Sequence, residues 1–123
     1  MVKSIYRLNP NIMQSEVKLQ QDCFVWFHNT YPNLRGTMWL VHNNPKNARH
    51  GTVLKGLGLV AGVSDMSFLY KGKFYAIEFK TEKGKQSKEQ IEWEWTIFLQ
   101  DGEYIIIRSF DEFRTFVETT LAK

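Results

Sequence analysis

Gly58-Leu-Val-Ala-Gly62-Val-Ser-Asp65 runs into Met66-Ser-Phe-Leu-Tyr70, a Lys71-Gly72 pair, and then Lys73-Phe-Tyr-Ala-Ile-Glu78-Phe-Lys80. Two short apolar and aromatic runs flank a two-residue spacer whose glycine accepts positive φ. Asp65 to Tyr70 and Lys73 to Lys80 therefore predict a β-hairpin. In a strand, side chains two apart share a face, so Phe74, Ala76, Glu78 and Lys80 lie on one side and Tyr75, Ile77 and Phe79 on the other. Asp65 begins the partner strand thirteen residues before Glu78, and pairing about the turn sets the two roughly opposite each other. Two carboxylates and an amine then converge on one spot, inside runs that would otherwise read as ordinary strands.

Upstream, apolar positions Val17, Leu19, Cys23, Phe24, Trp26 and Phe27 recur near three and four residues apart. This predicts a helix from Ser15 to about His28, with Ser15 as N-cap and Glu16 in the first turn. Residues 1–13, interrupted by Pro10, read as an arm. Thr30 to Gly36 is rich in turn residues, and Met38 to His42 is a short apolar strand. The polar, basic segment Asn43 to Gly51 has no apolar period and predicts a surface loop, longer than the about four to six residues usual for a connection. From Thr52 to Gly62, glycines at 51, 56, 58 and 62 argue against a long helix, leaving a glycine-rich approach to Asp65.

Downstream, Thr81 to Gln86 is a charged loop. Ser87-Lys-Glu-Gln90 forms a capping box opening a helix to about Gln100, which Asp101-Gly102 ends. Glu103 to Arg108 is a buried strand, and Ser109-Phe-Asp-Glu112 is a second capping box for a final helix. The order α-β-β-β-α-β-α describes an α/β fold with a small central mixed β-sheet flanked by α-helices.

The 123 residues suit one domain over 1–123, long enough to bury a core. Apolar residues at 43% and charged residues at 24% exclude the composition of a disordered chain. A net charge of +3 fits a phosphate-bearing partner without specifying one. The lone cysteine, Cys23, cannot form an internal disulfide, and its apolar setting makes it a buried thiol in a reducing compartment. No run approaches the roughly 20 apolar residues of a membrane span, nor does the N-terminus resemble a signal peptide. The expectation is a cytoplasmic protein with no membrane partner, within a host cell if its source is viral.

Two neighbouring carboxylates repel unless a positive charge sits between them, and hard oxygen ligands of this kind suit Mg²⁺ or Mn²⁺. Such an ion activates water, and an adjacent ammonium such as Lys80 stabilises the charge that builds on an attacked phosphodiester. Taken singly, Glu78 and Lys80 read equally as a weak ion pair on a solvated face, and Asp65 as a turn residue. Their surroundings weigh against that.

Gly-Leu-Val-Ala-Gly-Val-Ser-Asp, then Ile-Glu-Phe-Lys, then Ser-Lys-Glu-Gln resembles the PD-(D/E)XK nuclease superfamily, and within it the virus-type replication-repair (VRR-Nuc) family, over nearly the whole chain. The resemblance implies a restriction-endonuclease-like core. It makes Asp65 and Glu78 metal ligands together with the backbone carbonyl of Phe79, and Lys80 the catalytic lysine. Glu16 approaches the metal directly or through water, and Gln20 or Gln21 matches a further position of the first helix. Gln90 matches the family glutamine, although its capping role alone also explains it. Asn43 matches a family asparagine, and Ser64 stands where the family has proline. The cofactor implied is Mg²⁺ or Mn²⁺, and the partners are DNA, including branched and four-way junction DNA, and a second copy in a homodimer.

Two basic clusters, Lys46, Arg49 and Lys55 before the site and Lys83, Lys85 and Lys88 after it, are candidates for sequence-independent contact with the nucleic-acid backbone. His42 and His50 lack further ligands at zinc spacing and read as loop or DNA-contact residues. Trp93 and Trp95 must face different ways on one helix, so that an exposed one would mark a subunit interface. These features point to a metal-dependent DNA endonuclease. The alternatives are a catalytically inactive DNA-binding or assembly subunit of the same fold, and a nuclease acting on RNA.

Overall fold

The computed structural model describes residues 10–42 and 46–123. The elements are α1 (Pro10–Thr30), a 3₁₀ turn (Pro32–Leu34), β1 (Met38–Leu40), α2 (Ala48–Gly56), β2 (Met66–Tyr70), β3 (Lys73–Phe79), α3 (Lys88–Leu99), β4 (Glu103–Ile107) and α4 (Phe110–Leu121). The four strands form one mixed sheet in the order β1-β2-β3-β4. The first three strands pair antiparallel, and β4 joins β3 in parallel after the crossover through α3.

The hairpin forms with Met66 opposite Ile77 and Tyr70 opposite Lys73. Lys71 and Gly72 both take positive φ, +49° and +82°, the twist that suits a two-residue hairpin turn. Both expected caps are present at Ser87 and Ser109. Ser87 accepts from the Gln90 amide while the Gln90 side chain accepts from the Ser87 amide, a complete capping box. At the second, Ser109 accepts from the Glu112 amide, but the Glu112 carboxylate takes the Arg108 amide in place of that of Ser109. Asp101, at φ +64°, makes the reversal after α3.

Three expectations about the elements need correction. Helix α1 already holds Pro10, so Ser15 lies inside the helix, as do residues 10–13 of the expected arm, whose residues 1–9 lie outside the described residues. The segment expected as loop and glycine-rich approach contains α2, making the order α-β-α-β-β-α-β-α. Asn47 caps α2 by accepting from the His50 amide, a local signal that outweighs Gly51 and the absence of an apolar period. Helix α2 buries none of its residues, so its sequence carries no periodicity to read.

The two sheet faces differ sharply. On one, Met66, Phe68, Tyr75, Ile77, Phe79 and Ile107 pack with Cys23 and Phe27 of α1 and Phe113 and Val117 of α4. Phe27 meets Phe68 edge-on at 5.6 Å, and Trp26 meets Phe110 and Phe113 in the same way. Cys23 is fully buried, and burial pushes its thiol up to about 12, as expected for an inert packing residue. The opposite face, under α3, carries Ala76, Glu78 and Tyr104.

Candidate active site

The site begins where β2 and β3 diverge. Asp65 directly precedes β2, and continuing the register that pairs Met66 with Ile77 sets it opposite Glu78. One oxygen of the Asp65 carboxylate accepts from the Phe79 amide at 2.8 Å. The next amide, of Lys80, donates across to the Ile107 carbonyl of β4. Since the N–H and C=O of an extended residue point to the same side, the Phe79 carbonyl opens toward Asp65 and away from β4.

Glu78 is 4% exposed, which is unusual for a carboxylate and demands partners. Its Oε2 accepts from Gln90 Nε2 at 3.0 Å and lies 3.8 Å from Lys80 Nζ. Its Oε1 is buried with no hydrogen-bond partner. Burial pushes the Glu78 carboxyl up to about 9, and the charge of Asp65 adds to the shift against a smaller downward pull from Lys80. Burial also raises Asp65, to about 6, opposed by the hydrogen bond from Phe79. Without a cation the two carboxyls therefore hold protons more readily than free ones do.

Helix α3 is held to this spot by Gly62, whose φ is +83° and whose missing side chain leaves room for the helix backbone. A Cβ there would run into the Glu89 carbonyl and stand 2.7 Å from the Gln90 amide. Gly62 thus lets the first turn of α3 approach closely enough for Gln90 to reach Glu78. Ser64, where the resembled family has proline, is buried, and its hydroxyl donates to the Met66 carbonyl at 2.9 Å. This hydrogen bond restrains the turn that a proline ring would stiffen.

Glu16 reaches the edge of the site from α1, its Oε2 accepting from the Thr81 amide at 3.1 Å. Its charge raises both Asp65 and Glu78, as the last or a lesser contribution. Among the described residues, no three His, Cys, Asp or Glu side chains form a group able to hold a metal ion by themselves. The converging set is Asp65, Glu78, Lys80 and Gln90, with Glu16 one step away. Gln20 and Gln21 lie farther along α1, and Asn43 lies outside the described residues.

Lys46, Arg49, Lys55, Lys83, Lys85 and Lys88 are all exposed. His50 is committed to the start of α2, where its Nδ1 accepts from the Lys46 amide. Trp93 packs against Tyr104, while Trp95 is 59% exposed, so the pair divides between the two sides of α3 as its spacing requires.

Sequence reasoning missed Arg108. Its guanidinium donates to the carbonyls of Thr81, Glu82 and Gly84, bracing the loop that follows Lys80. Only the parallel pairing of β3 and β4 brings Arg108 to that loop, so no local pattern marks it. Missed too was the Gln86 to Glu94 hydrogen bond of 2.8 Å, which ties the same loop to α3.

A mixed four-stranded sheet is thus flanked by helices, with two acidic residues and a lysine where the hairpin strands part. A solved structure titled "VRR_NUC domain protein" superimposes with a TM-score of 0.72 at 14% identity, covering 85% of this chain and 86% of that one. The protein thus has the VRR-Nuc fold. No family model matches the chain, and no curated protein matches it. Among the described residues, no helix is long and apolar enough to cross a membrane.

Proposed function

We propose that the protein is a metal-dependent DNA endonuclease that hydrolyses phosphodiester bonds at Asp65, Glu78 and Lys80. The observation that carries this reading is the buried Glu78 Oε1, without a hydrogen-bond partner, beside the half-buried carboxyl of Asp65. A carboxyl pair that raises its own pKa is costly as it stands, and a divalent cation relieves both the repulsion and the missing partner. Asp65, Glu78 and the Phe79 carbonyl present hard oxygens, which fit Mg²⁺ or Mn²⁺; Glu16 lies near enough to assist through water. The absence of a third carboxylate in direct contact does not count against Mg²⁺, which usually keeps several waters and takes one or two protein carboxylates.

When bound, such an ion supplies a nucleophilic water at neutral pH and stabilises charge on the attacked phosphate. The chain's own residues do the rest. Gln90 holds Glu78 Oε2 and restrains the carboxylate, while the Phe79 amide holds one Asp65 oxygen; the remaining carboxylate oxygens would be the ones to hold a cation. Lys80, with its side chain 13% exposed, sits at the mouth of the site where its ammonium can meet a phosphate oxygen.

The exposed basic residues before and after the site suit contact with the DNA backbone. The chain from Cys23 to Ser64 carries four Lys or Arg residues and no acid, a run whose charge attracts phosphate. Branched DNA, including four-way junctions, is the substrate class the VRR-Nuc resemblance favours. Cutting two strands there calls for two copies. The exposed stripe Ile91, Trp95, Phe98 and Leu99 on α3 is the surface we assign to a homodimer.

Calorimetric titration with Mn²⁺ tests the site. The wild-type protein is expected to bind, and Asp65→Asn and Glu78→Gln each to weaken binding by an order of magnitude or more. Absence of binding heat from the wild type, at any temperature tried, would favour the non-catalytic DNA-binding subunit.

A further inference from the structure

Two buried side-chain atoms among the described residues lack a hydrogen-bond partner: Glu78 Oε1 and the hydroxyl of Tyr104. They belong to the same face of the sheet. Tyr104 pairs with Ala76 in the parallel ladder, and Ala76 is two residues before Glu78, so all three side chains leave the sheet on one side. Diagonal neighbours in a sheet stand about 7–8 Å apart, within reach of an aromatic side chain and a glutamate.

Helix α3 closes the space above them. Trp93 lies edge-on to the Tyr104 ring, with centroids 6.0 Å apart and planes at 71°. Gln90 and Glu94 lie one turn apart on the same helix face as Trp93; Gln90 holds Glu78, and Glu94 holds Gln86. The Tyr104 hydroxyl is therefore buried among Glu78, Gln86 and Glu94, polar side chains that all act on it. Burial, then the charge of Glu78, raises its pKa against a smaller downward pull from Gln86, whose side chain stands near the hydroxyl without a hydrogen bond of good geometry, so the hydroxyl stays able to donate.

Packing does not explain this hydroxyl. Phenylalanine would make the same contact with Trp93 and bury no unpaired oxygen. We propose that Tyr104 is a positioning residue for Glu78, its hydroxyl donating through one buried water to Glu78 Oε1. Gln90 then restrains one carboxylate oxygen directly and Tyr104 the other at one remove, so that Glu78 meets a divalent cation in a single orientation. A water suits the role because two buried polar atoms on one face of the sheet, not bonded to each other directly, stand among further polar side chains. This inference rests on the reading of Glu78 as a metal ligand.

Tyr104→Phe separates positioning from packing. Three quantities are compared with wild type: thermal stability in EDTA, Mn²⁺ affinity by calorimetry, and steady-state cleavage of a labelled DNA duplex. The expected result is a melting temperature unchanged or raised, Mn²⁺ affinity weakened about 10- to 100-fold as for other residues that orient a metal ligand, and a lower kcat at unchanged KM. Wild-type affinity in Tyr104→Phe, or a drop in melting temperature that accounts for the loss, overturns the role given to Tyr104 and leaves the metal site standing. A wild-type protein that binds no Mn²⁺ overturns both.

Discussion

The two faces of β3 are made from alternate residues of one short segment, yet they follow opposite rules. Tyr75, Ile77 and Phe79 face α1 and α4, where apolar side chains meet apolar side chains and a buried thiol stays inert. Ala76 and Glu78 face α3, where a buried carboxyl keeps a raised pKa and two oxygens lack partners. The first face follows the general rule for interiors, and the second breaks it at the residues assigned to chemistry. Local departures of this kind are expected at functional sites, where stability is given up for a prearranged geometry. The difference teaches that the fold rests on one side of the sheet and that the other is free to hold charge.

The sharpest way to break this division is to damage each face and compare. Phe113→Ala, on the apolar face, should lower stability by about 3–5 kcal/mol, read from denaturant unfolding, because its ring is fully buried between α1 and the sheet. Gly62→Ala acts on the other face. Its Cβ would meet the first turn of α3 at a positive φ, so a cost of about 1–3 kcal/mol is expected together with weaker Mn²⁺ binding, as Gln90 is pushed from Glu78. Unchanged metal binding in a folded Gly62→Ala would show that the close approach of α3 does not serve the site. Arg108→Met should cost about 1.5–3 kcal/mol or less, the loss of charged hydrogen bonds to the loop after Lys80, and leave the apolar core intact. Hydrogen exchange at residues 81–86 would detect it.

A further effect, confined to the polar face, is on pH dependence. Folded-state pKa values above the ordinary ones mean that the metal-free native protein holds more protons than the unfolded chain between the two sets of values. The contribution of Asp65 and Glu78 to stability is thus fully present at pH values below their ordinary pKa values and is lost as pH rises through the raised ones. Melting temperatures in EDTA should show this decline, Glu78→Gln should flatten it, and Mn²⁺ should restore stability at the alkaline end. A decline of equal slope in Glu78→Gln would place the titrating group elsewhere.

Much of the scaffold was legible because its signals are local. The hairpin follows from Lys71-Gly72 between two apolar runs, the start of α3 from Ser87 and Gln90, and the facing of Glu78 and Lys80 from strand alternation. Helix α2 was not legible, since it buries nothing and has two glycines where an apolar period would stand. Within the site, Asp65, Glu78, Lys80 and Gln90 could be named from their motifs. Gly62 stands in the glycine motif before Asp65, but its role, like those of Arg108 and Tyr104, was not legible, because these roles arise only when a parallel crossover sets residue 104 beside 76 and lays the backbone of α3 on a glycine 27 positions before Glu89.

The central claim is that the polar face cuts phosphodiesters, and a cleavage panel tests it most directly. Labelled duplex, nicked duplex, flap and four-way junction DNA, with a matching RNA, are incubated with wild type, Glu78→Ala and Lys80→Ala in Mg²⁺, Mn²⁺ or EDTA. The account expects metal-dependent cleavage of DNA by the wild type, strongest on the branched substrates, and loss of at least about 100-fold in both variants while their folds persist. Cleavage at the wild-type rate by either variant would contradict it.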